Sequence, residues 1–410
     1  MSTFDGIRVV DFSRYLSGPT ATMLLADLGA DVVKVEGLPN GDPSRESGPF
    51  HDGESVYFMC SNRNKRSIAV DMRDPAGMSV VSNLVARADV VVQNFKPGTM
   101  EKMGLGYDEI RPSNPRLVYC SISGFGAEGP GRDLPGFDQS AQAMSGLMSV
   151  TGTQETGPLR VGIAVADSTA GVFAALGIVS ALYERQRSGV GQLVETSLIE
   201  SLLSLMNYQA QKYLSLGDVP GQDGNDHPLI FPQGTFHTAD APITLASGSE
   251  AMWRRLCDVL GLKELVDDAR FFDNAARMEN RLELRRLLEE RLRTRSAAEW
   301  LEAINGAGIP ATPIYSVDQT LESDIIKTME MIATVDHPTI GSLQVLGRPF
   351  TLGKERTGWL LRPPPLLGEH SLEIADEIGL PPGELKHLVD TGVLVDGRPA
   401  VPAHTTTDPS

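Results

Sequence analysis

The sequence predicts an α/β protein with a large open parallel sheet, followed by a smaller α+β unit. Three observations carry that prediction. Over the first two hundred residues, short apolar runs rich in valine and isoleucine alternate with helical patterns, the signature of βαβ units. The stretch 217–226, polar and rich in glycine, proline, asparagine and aspartate, then interrupts the alternation as a linker. Beyond it the pattern changes to short strands and then several helices.

Taken in order, residues 7–11 (Ile-Arg-Val-Val-Asp) read as a strand, and Gly18-Pro19 opens a helix over 20–28. Proline fits a first helical turn because its missing N–H would have no intrahelical partner there. Gly29 stops that helix, and 31–36 returns as a strand. Residues 67–71, 89–93 and 117–122 are further strands, with a helical pattern over 75–88 between the first two. The run 161–166 reads as a buried strand ending at Asp167, and 168–182 as a helix. A long helix covers 198 to about 214. In the smaller unit, short strands lie within 234–246 and helices at about 250–260, 280–294 and 297–305. Gly308 to Pro313 ends that unit, and a strand-like stretch starts near Gly341.

At 410 residues the chain is long enough for two domains, and its 41% hydrophobic and 22% charged residues are ordinary for a soluble protein. A net charge of −17 excludes a general binder of nucleic-acid backbones, so no nucleic-acid partner is expected. An anionic ligand needs local cations. Three cysteines, Cys60, Cys120 and Cys257, show no metal-type spacing and read as buried apolar residues in a reducing compartment. The start of the chain resembles no secretory leader, and no apolar run reaches the ~20 residues that span a bilayer. A cytoplasmic protein without membrane or metal partners is the expectation.

Ligands of open parallel sheets bind beyond the carboxyl ends of the strands. The turns after Asp11, Glu36, Gln93 and Ile122, and the junction at Asp167, are therefore the places for a site. A carboxylate at a helix start sits beside unpaired backbone N–H groups, which suits a helix cap and equally a nucleophile whose developing charge must be steadied. Asp138, ahead of a second helical pattern, carries the same two readings. Several easily recognised chemistries are absent: there is no P-loop, no close histidine pair and no G-x-S-x-G elbow. The basic stretch Asn62-Arg-Asn-Lys-Arg-Ser67 reads either as a phosphate-binding turn or as a solvated loop.

In order and spacing, these segments resemble the class III CoA-transferase family, also called the formyl-CoA transferase or CaiB/BaiF family. The blocks that carry the resemblance run from Gly6-Ile-Arg-Val-Val-Asp-Phe-Ser13, Gly18-Pro19 and Gly41-Asp42 through Asn64-Lys-Arg-Ser67, Asn94-Phe95 and Ser123-Gly-Phe-Gly126. They continue with Arg160-Val-Gly-Ile-Ala-Val-Ala-Asp167, Gly189-Val-Gly-Gln and Pro365-Leu-Leu-Gly-Glu-His370. The resemblance implies a doubly wound large domain, a ring-shaped subunit and an interlocked homodimer. With the linker at 217–226, it gives a discontinuous large domain over 1–214 and 330–400 and a small domain over 225–329, and the residues at 401–410 read by themselves as a disordered tail.

It further implies that Asp167 is the nucleophile of an acyl-CoA:carboxylate CoA-transferase, forming an acyl–aspartyl anhydride and then an aspartyl-CoA thioester, with Asp138 assisting. The substrates would be a coenzyme A thioester and a small carboxylic acid, with no tightly bound cofactor, and transfer either between molecules or within one. Lys65, Arg66, Asn94 and Phe95 match the family's coenzyme A contacts, and Lys102 stands where an arginine meets phosphate. Lysine keeps that charge without the forked geometry. Leu16 and Phe137 would form the active-site wall. Leu16 replaces a glutamine of the formyl-CoA transferase branch, and no glycine run lies between Leu229 and Ala246, so formyl-CoA/oxalate specificity is not expected. A short-chain dicarboxylate pair with succinyl-CoA as donor is preferred. The alternatives are an α-methylacyl-CoA racemase and a non-catalytic acyl-CoA-binding homologue. The racemase branch has a histidine where this chain has Phe137, which carries no proton.

Overall fold

Six parallel strands form the backbone of the first half of the chain: β1 (Arg8–Asp11), β2 (Asp31–Gly37), β3 (Lys65–Val70), β4 (Val90–Gln93), β5 (Val118–Ser123) and β6 (Leu193–Ser197). They lie in the order β6-β5-β4-β1-β2-β3, and a short strand, Leu394–Val395, pairs antiparallel with the outer side of β3. The register sets Val9 beside both Val32 and Val90, so β1 is central and the strand order reverses between β1 and β4. The structure, a computed structural model, describes residues 2–353 and 358–398. The expected tail at 401–410 lies outside the described residues.

The sheet is wound on both faces because its strands are apolar on both. Val10, Val33, Val35, Ile68 and Val91 point to a core completed by helix α2 (Pro75–Ala86) and the helix Ser371–Glu377. Their neighbours Val9, Val32, Val90, Val92 and Val118 face the other way, onto α1 (Ser17–Ala26) and a later, 24-residue helix. Full burial of each such side chain contributes about 1.5–3 kcal/mol, so continuous valine runs favour a two-sided sheet over an exposed one. Helix α2 starts where its sequence supplies a start: Asp74 accepts a hydrogen bond from the Ala76 N–H ahead of it, with Pro75 in its first turn.

Helix α3 (Asp138–Met144) and the long α4 (Val165–Ser188) follow, then α5 (Leu198–Leu205) and α6 (Asn207–Leu216). Two expectations are corrected here. The run 161–166 is not a strand: α4 begins within it at Val165, and Ile163 stands 63% exposed. The place beside β5 belongs instead to Leu193–Ser197, which the alternation of patterns did not reveal. The helix expected over 198–214 is two helices, because Asn207 adopts a left-handed φ of 46°. Helix α4 is also long and apolar enough by composition to cross a membrane, unlike the expectation that no such run exists. Here it is a core helix: Ala166, Ala170, Ala174, Ile178 and Ala181 are buried along one side. Gly171 keeps α4 close to α1, since a Cβ there would lie 2.6 Å from the Ser17 carbonyl oxygen.

The chain divides into two units. The first holds residues up to Leu147, Arg160–Asp218 and Met329 onward; the second holds Met148–Leu159 and Val219–Thr328. Residues 148–159, expected in the large domain, belong to the second unit, where the Gly224 N–H bonds to Gly152 and the Gln222 amide to Thr151. That unit is a three-stranded antiparallel sheet, Gln233–His237, Pro242–Ala246 and Ala311–Pro313, against helices Glu250–Leu260, Arg281–Leu292 and Ala297–Gly306. Trp253, Trp300, Leu256, Leu284 and Leu288 fill its core. Cys120 and Cys257 are buried as expected, whereas Cys60 is exposed.

Candidate active site

The carboxyl ends of β1, β4, β5 and β6 open onto one cavity of about 480 Å³. It lies where the strand order reverses, as the rule for open α/β sheets requires. Residues following each strand line it: Arg14 and Tyr15 after β1, Asn94 and Phe95 after β4, Ser123 and Gly124 after β5, and Leu198 after β6. Asp167 in the first turn of α4, Tyr57 and Phe137 complete the wall.

Asp167 is the third residue of α4, so it is not the cap itself. An acidic side chain in a first turn still gains from the unpaired N–H groups and the positive end of the helix. Asp138 supplies the capping contact from a neighbouring helix. Its Oδ1 accepts the Ala166 N–H at 2.8 Å and its Oδ2 accepts the Gln142 side-chain amide at 2.7 Å. Gln142 also receives the Val161 N–H, which ties down the approach to α4. Burial, and then the nearby Asp138 carboxylate, push the Asp167 carboxyl up to about 7. Both causes oppose its charge, and among the described residues no cation offsets them. The Tyr57 phenol is pushed up to about 12 by burial and then by Asp167, so it enters neutral chemistry only as a hydrogen-bond donor or acceptor.

The turn after β1 is held by side chains at nearly every backbone group. The Ser13 N–H donates to Asp11 Oδ1 at 2.9 Å, and the Ser13 carbonyl accepts from Lys34 Nζ at 2.8 Å. Asn94 brackets the next residue: its Oδ1 accepts the Arg14 N–H and its Nδ2 donates to the Arg14 carbonyl, each at 2.8 Å. The Tyr15 N–H donates to Asp42 Oδ1, and Asp42 is paired with buried Lys34 at 2.9 Å. These contacts hold Tyr15 at a φ of 61°, a left-handed conformation unusual for an aromatic residue. Its ring meets Phe137 edge-on at 6.4 Å, and the Arg14 guanidinium stacks 4.6 Å above Phe95. Across the cavity, Gly124 and Gly136 touch backbone to backbone: a Cβ on Gly124 would lie 2.5 Å from the Gly136 Cα.

The structure therefore brings together Asp167, Asn94, Phe95 and Phe137 in one cavity, with Asp138 behind Asp167. Leu16 heads α1 half-buried, while its neighbours Tyr15 and Ser17 do the lining. Lys65 and Arg66, expected among the coenzyme A contacts, do not line this cavity. Lys65 is fully buried and donates to Asp11, Asn62 and the Pro19 carbonyl. Arg66 pairs with Asp31, Glu373 and Glu377. The basic stretch 62–67 is neither solvated nor free, because it opens a buried strand whose neighbours carry the matching acids, Asp27 pairing Arg63 as well. Lys102 is exposed at the end of a four-residue helix and does not line the cavity. Asn94 is spent on the β1 turn and shapes the site through it. Sequence reasoning missed Arg14, Tyr15 and Tyr57. The first two lie in a turn whose position marked it for ligand binding; Tyr57, on a four-residue helix, gave no signal.

With that geometry in place, comparison with known proteins is specific. Residues 4–371 match CoA-transferase family III. The chain is 37% identical to the succinyl-CoA:glutarate CoA-transferase of Mus musculus over 396 residues, covering 96% of this chain and 91% of that protein. It is 37% identical to the succinyl-CoA:mesaconate CoA-transferase of Haloarcula hispanica, covering 93% and 98% respectively. The crystal structure of a CaiB/BaiF family protein from Brucella suis superposes with a TM-score of 0.82 at 37% identity, covering 92% of this chain and 99% of that one. The chain belongs to CoA-transferase family III and is a CoA-transferase.

Proposed function

We propose that this enzyme moves coenzyme A from a short-chain dicarboxylyl-CoA, with succinyl-CoA as the preferred donor, to a small carboxylic acid, using Asp167 as nucleophile. The observation that carries the reading is a carboxylate in the first turn of α4, in a cavity at the strand carboxyl ends, backed by a second carboxylate that accepts the adjoining N–H. The names of the relatives favour a succinyl donor.

The steps balance without water. The Asp167 carboxylate attacks the donor's thioester carbonyl and CoA thiolate leaves, giving an acyl–aspartyl anhydride. The thiolate attacks the aspartyl carbonyl, forming an aspartyl-CoA thioester and releasing the donor acid. The acceptor carboxylate attacks that thioester, expelling thiolate and forming a second mixed anhydride. Thiolate attack on the acceptor carbonyl then yields the new acyl-CoA and restores the Asp167 carboxylate. Each intermediate keeps the energy of the thioester, provided water is excluded and oxyanions are held. Asp138 is a positioning residue that fixes the start of α4, and Phe95 offers the coenzyme an apolar wall. Phe137 cannot exchange a proton, which disfavours racemisation.

Family membership also motivates a ring-shaped subunit interlocked in a homodimer. The exposed apolar side chains of α4 to α6 favour such a partner: Val172, Leu176, Tyr183, Leu203, Leu214 and Leu216 all stand at least half exposed. Incubation with succinyl-CoA and hydroxylamine, followed by peptide mass spectrometry, tests the chemistry. A hydroxamate on Asp167 is expected. An unmodified Asp167 together with a fully active Asp167→Asn variant would overturn the proposal.

A further inference from the structure

Two cations line the cavity, and they differ in availability. Lys96 is paired with Asp133 at 3.3 Å. Arg14 is stacked on Phe95, and among the described residues no carboxylate pairs with its guanidinium. An acid substrate entering this cavity approaches Asp167 and Asp138 on a protein of net charge −17. Its own charge needs a positive partner, because an uncompensated carboxylate in a partly buried site is costly.

The turn that carries Arg14 is organised for this. Its backbone is fixed on both sides by Asn94, and the flanking residues by Asp11, Lys34 and Asp42. The guanidinium lies 4.6 Å from the Phe95 ring centroid, and a guanidinium is suited to forked hydrogen bonds with a carboxylate. A group so fixed loses little entropy on binding. We infer that Arg14 is the specificity-determining residue of the acid subsite, taking the distal carboxylate of a dicarboxylyl group whose other end reacts at Asp167. This rests on the transferase reading above and names the residue that would choose the substrate class.

The rival source of anionic oxygens is a phosphate of coenzyme A. Succinyl-CoA and butyryl-CoA separate the two, because they share every coenzyme atom and the same chain length and differ in the distal carboxylate alone. With glutarate as acceptor, the unaltered enzyme should prefer succinyl-CoA, and Arg14→Gln should shrink the ratio of the two kcat/KM values about 10- to 100-fold. Arg14→Lys should recover part of it. The ratio is read on Arg14→Gln protein whose circular dichroism and thermal melt match the parent, so that a folding defect does not enter it. An unchanged ratio in Arg14→Gln, whether or not KM for both thioesters rises together, would overturn the inference; a joint rise would assign Arg14 to phosphate. Calorimetric binding of succinate and of butyrate, with CoA present, reads the same preference without turnover. Selective binding that Arg14→Gln abolishes would uphold Arg14 even if the hydroxamate test had failed for Asp167.

Discussion

A carboxylate attacks a thioester only when ionised, and Asp167 resists ionisation up to about pH 7, first through burial and second through Asp138. On the proposed chemistry, kcat/KM for the acyl-CoA should rise with unit slope below that pH and level off above it. Asp138→Asn removes the repulsion and keeps an oxygen for the Ala166 N–H, so the midpoint should move to lower pH while burial holds it above an ordinary aspartate. A midpoint that stays put would show that Asp138 acts in some other way. The same shift has a consequence for folding. Because the folded pKa is raised, the unfolded chain loses its proton first, and stability declines between about pH 4 and pH 7 as the folded state is left holding it. Asp167→Asn should therefore lose kcat by roughly 10³-fold or more. In thermal melts, it should gain stability over the parent as pH rises through that window, and gain nothing below it.

At the scale of elements, the β1 turn is the part of the site with the most built-in constraint. Asn94→Ala removes both hydrogen bonds that bracket Arg14 and should cost about 1–3 kcal/mol in urea unfolding. It should also raise KM, as the turn that presents Arg14 and Tyr15 loosens. Gly124→Ala should be comparably destabilising, by about 1–3 kcal/mol, because its Cβ has no room against Gly136. Much of this frame was legible in the sequence: valine runs marked five of the six parallel strands, and the carboxyl-end rule marked the turns after β1, β4 and β5. Two things were not. The apolar run before Asp167 has no periodicity that separates a strand from the entry to a helix, and the strand that took its place, Leu193–Ser197, is half polar. The charges of Lys65 and Arg66 were visible, but their partners were not. Asp11 and Asp31 meet them only through the sheet order, which local spacing does not specify.

At the scale of the whole molecule, the exposed apolar surface of α4, α5 and α6 is the feature least compatible with an isolated chain. Helix α4 buries its alanines against the sheet and turns Val172, Leu176 and Tyr183 outward, at 53%, 58% and 70% exposure. Its apolar length therefore does two jobs, one face for its own core and one for a surface. Leu214 and Leu216 on α6 stand 75% and 70% exposed. Single exposed leucines are ordinary; several over three consecutive helices are the surface that the proposed second copy would cover. If a second copy covers this surface, a charge placed there must be desolvated on association, while in a monomer it would sit in water at little cost. Leu176→Glu combined with Leu214→Glu should thus lower the mass seen by light scattering from that of a dimer to that of one chain, about 44 kDa, or leave the chain aggregated. The same pair of substitutions would leave the mass unchanged if the surface faces solvent in the working enzyme. A dimer interlocked as the family resemblance implies cannot separate without opening a ring, so exchange between differently labelled parent chains should be slow compared with a dimer docked only through these helices.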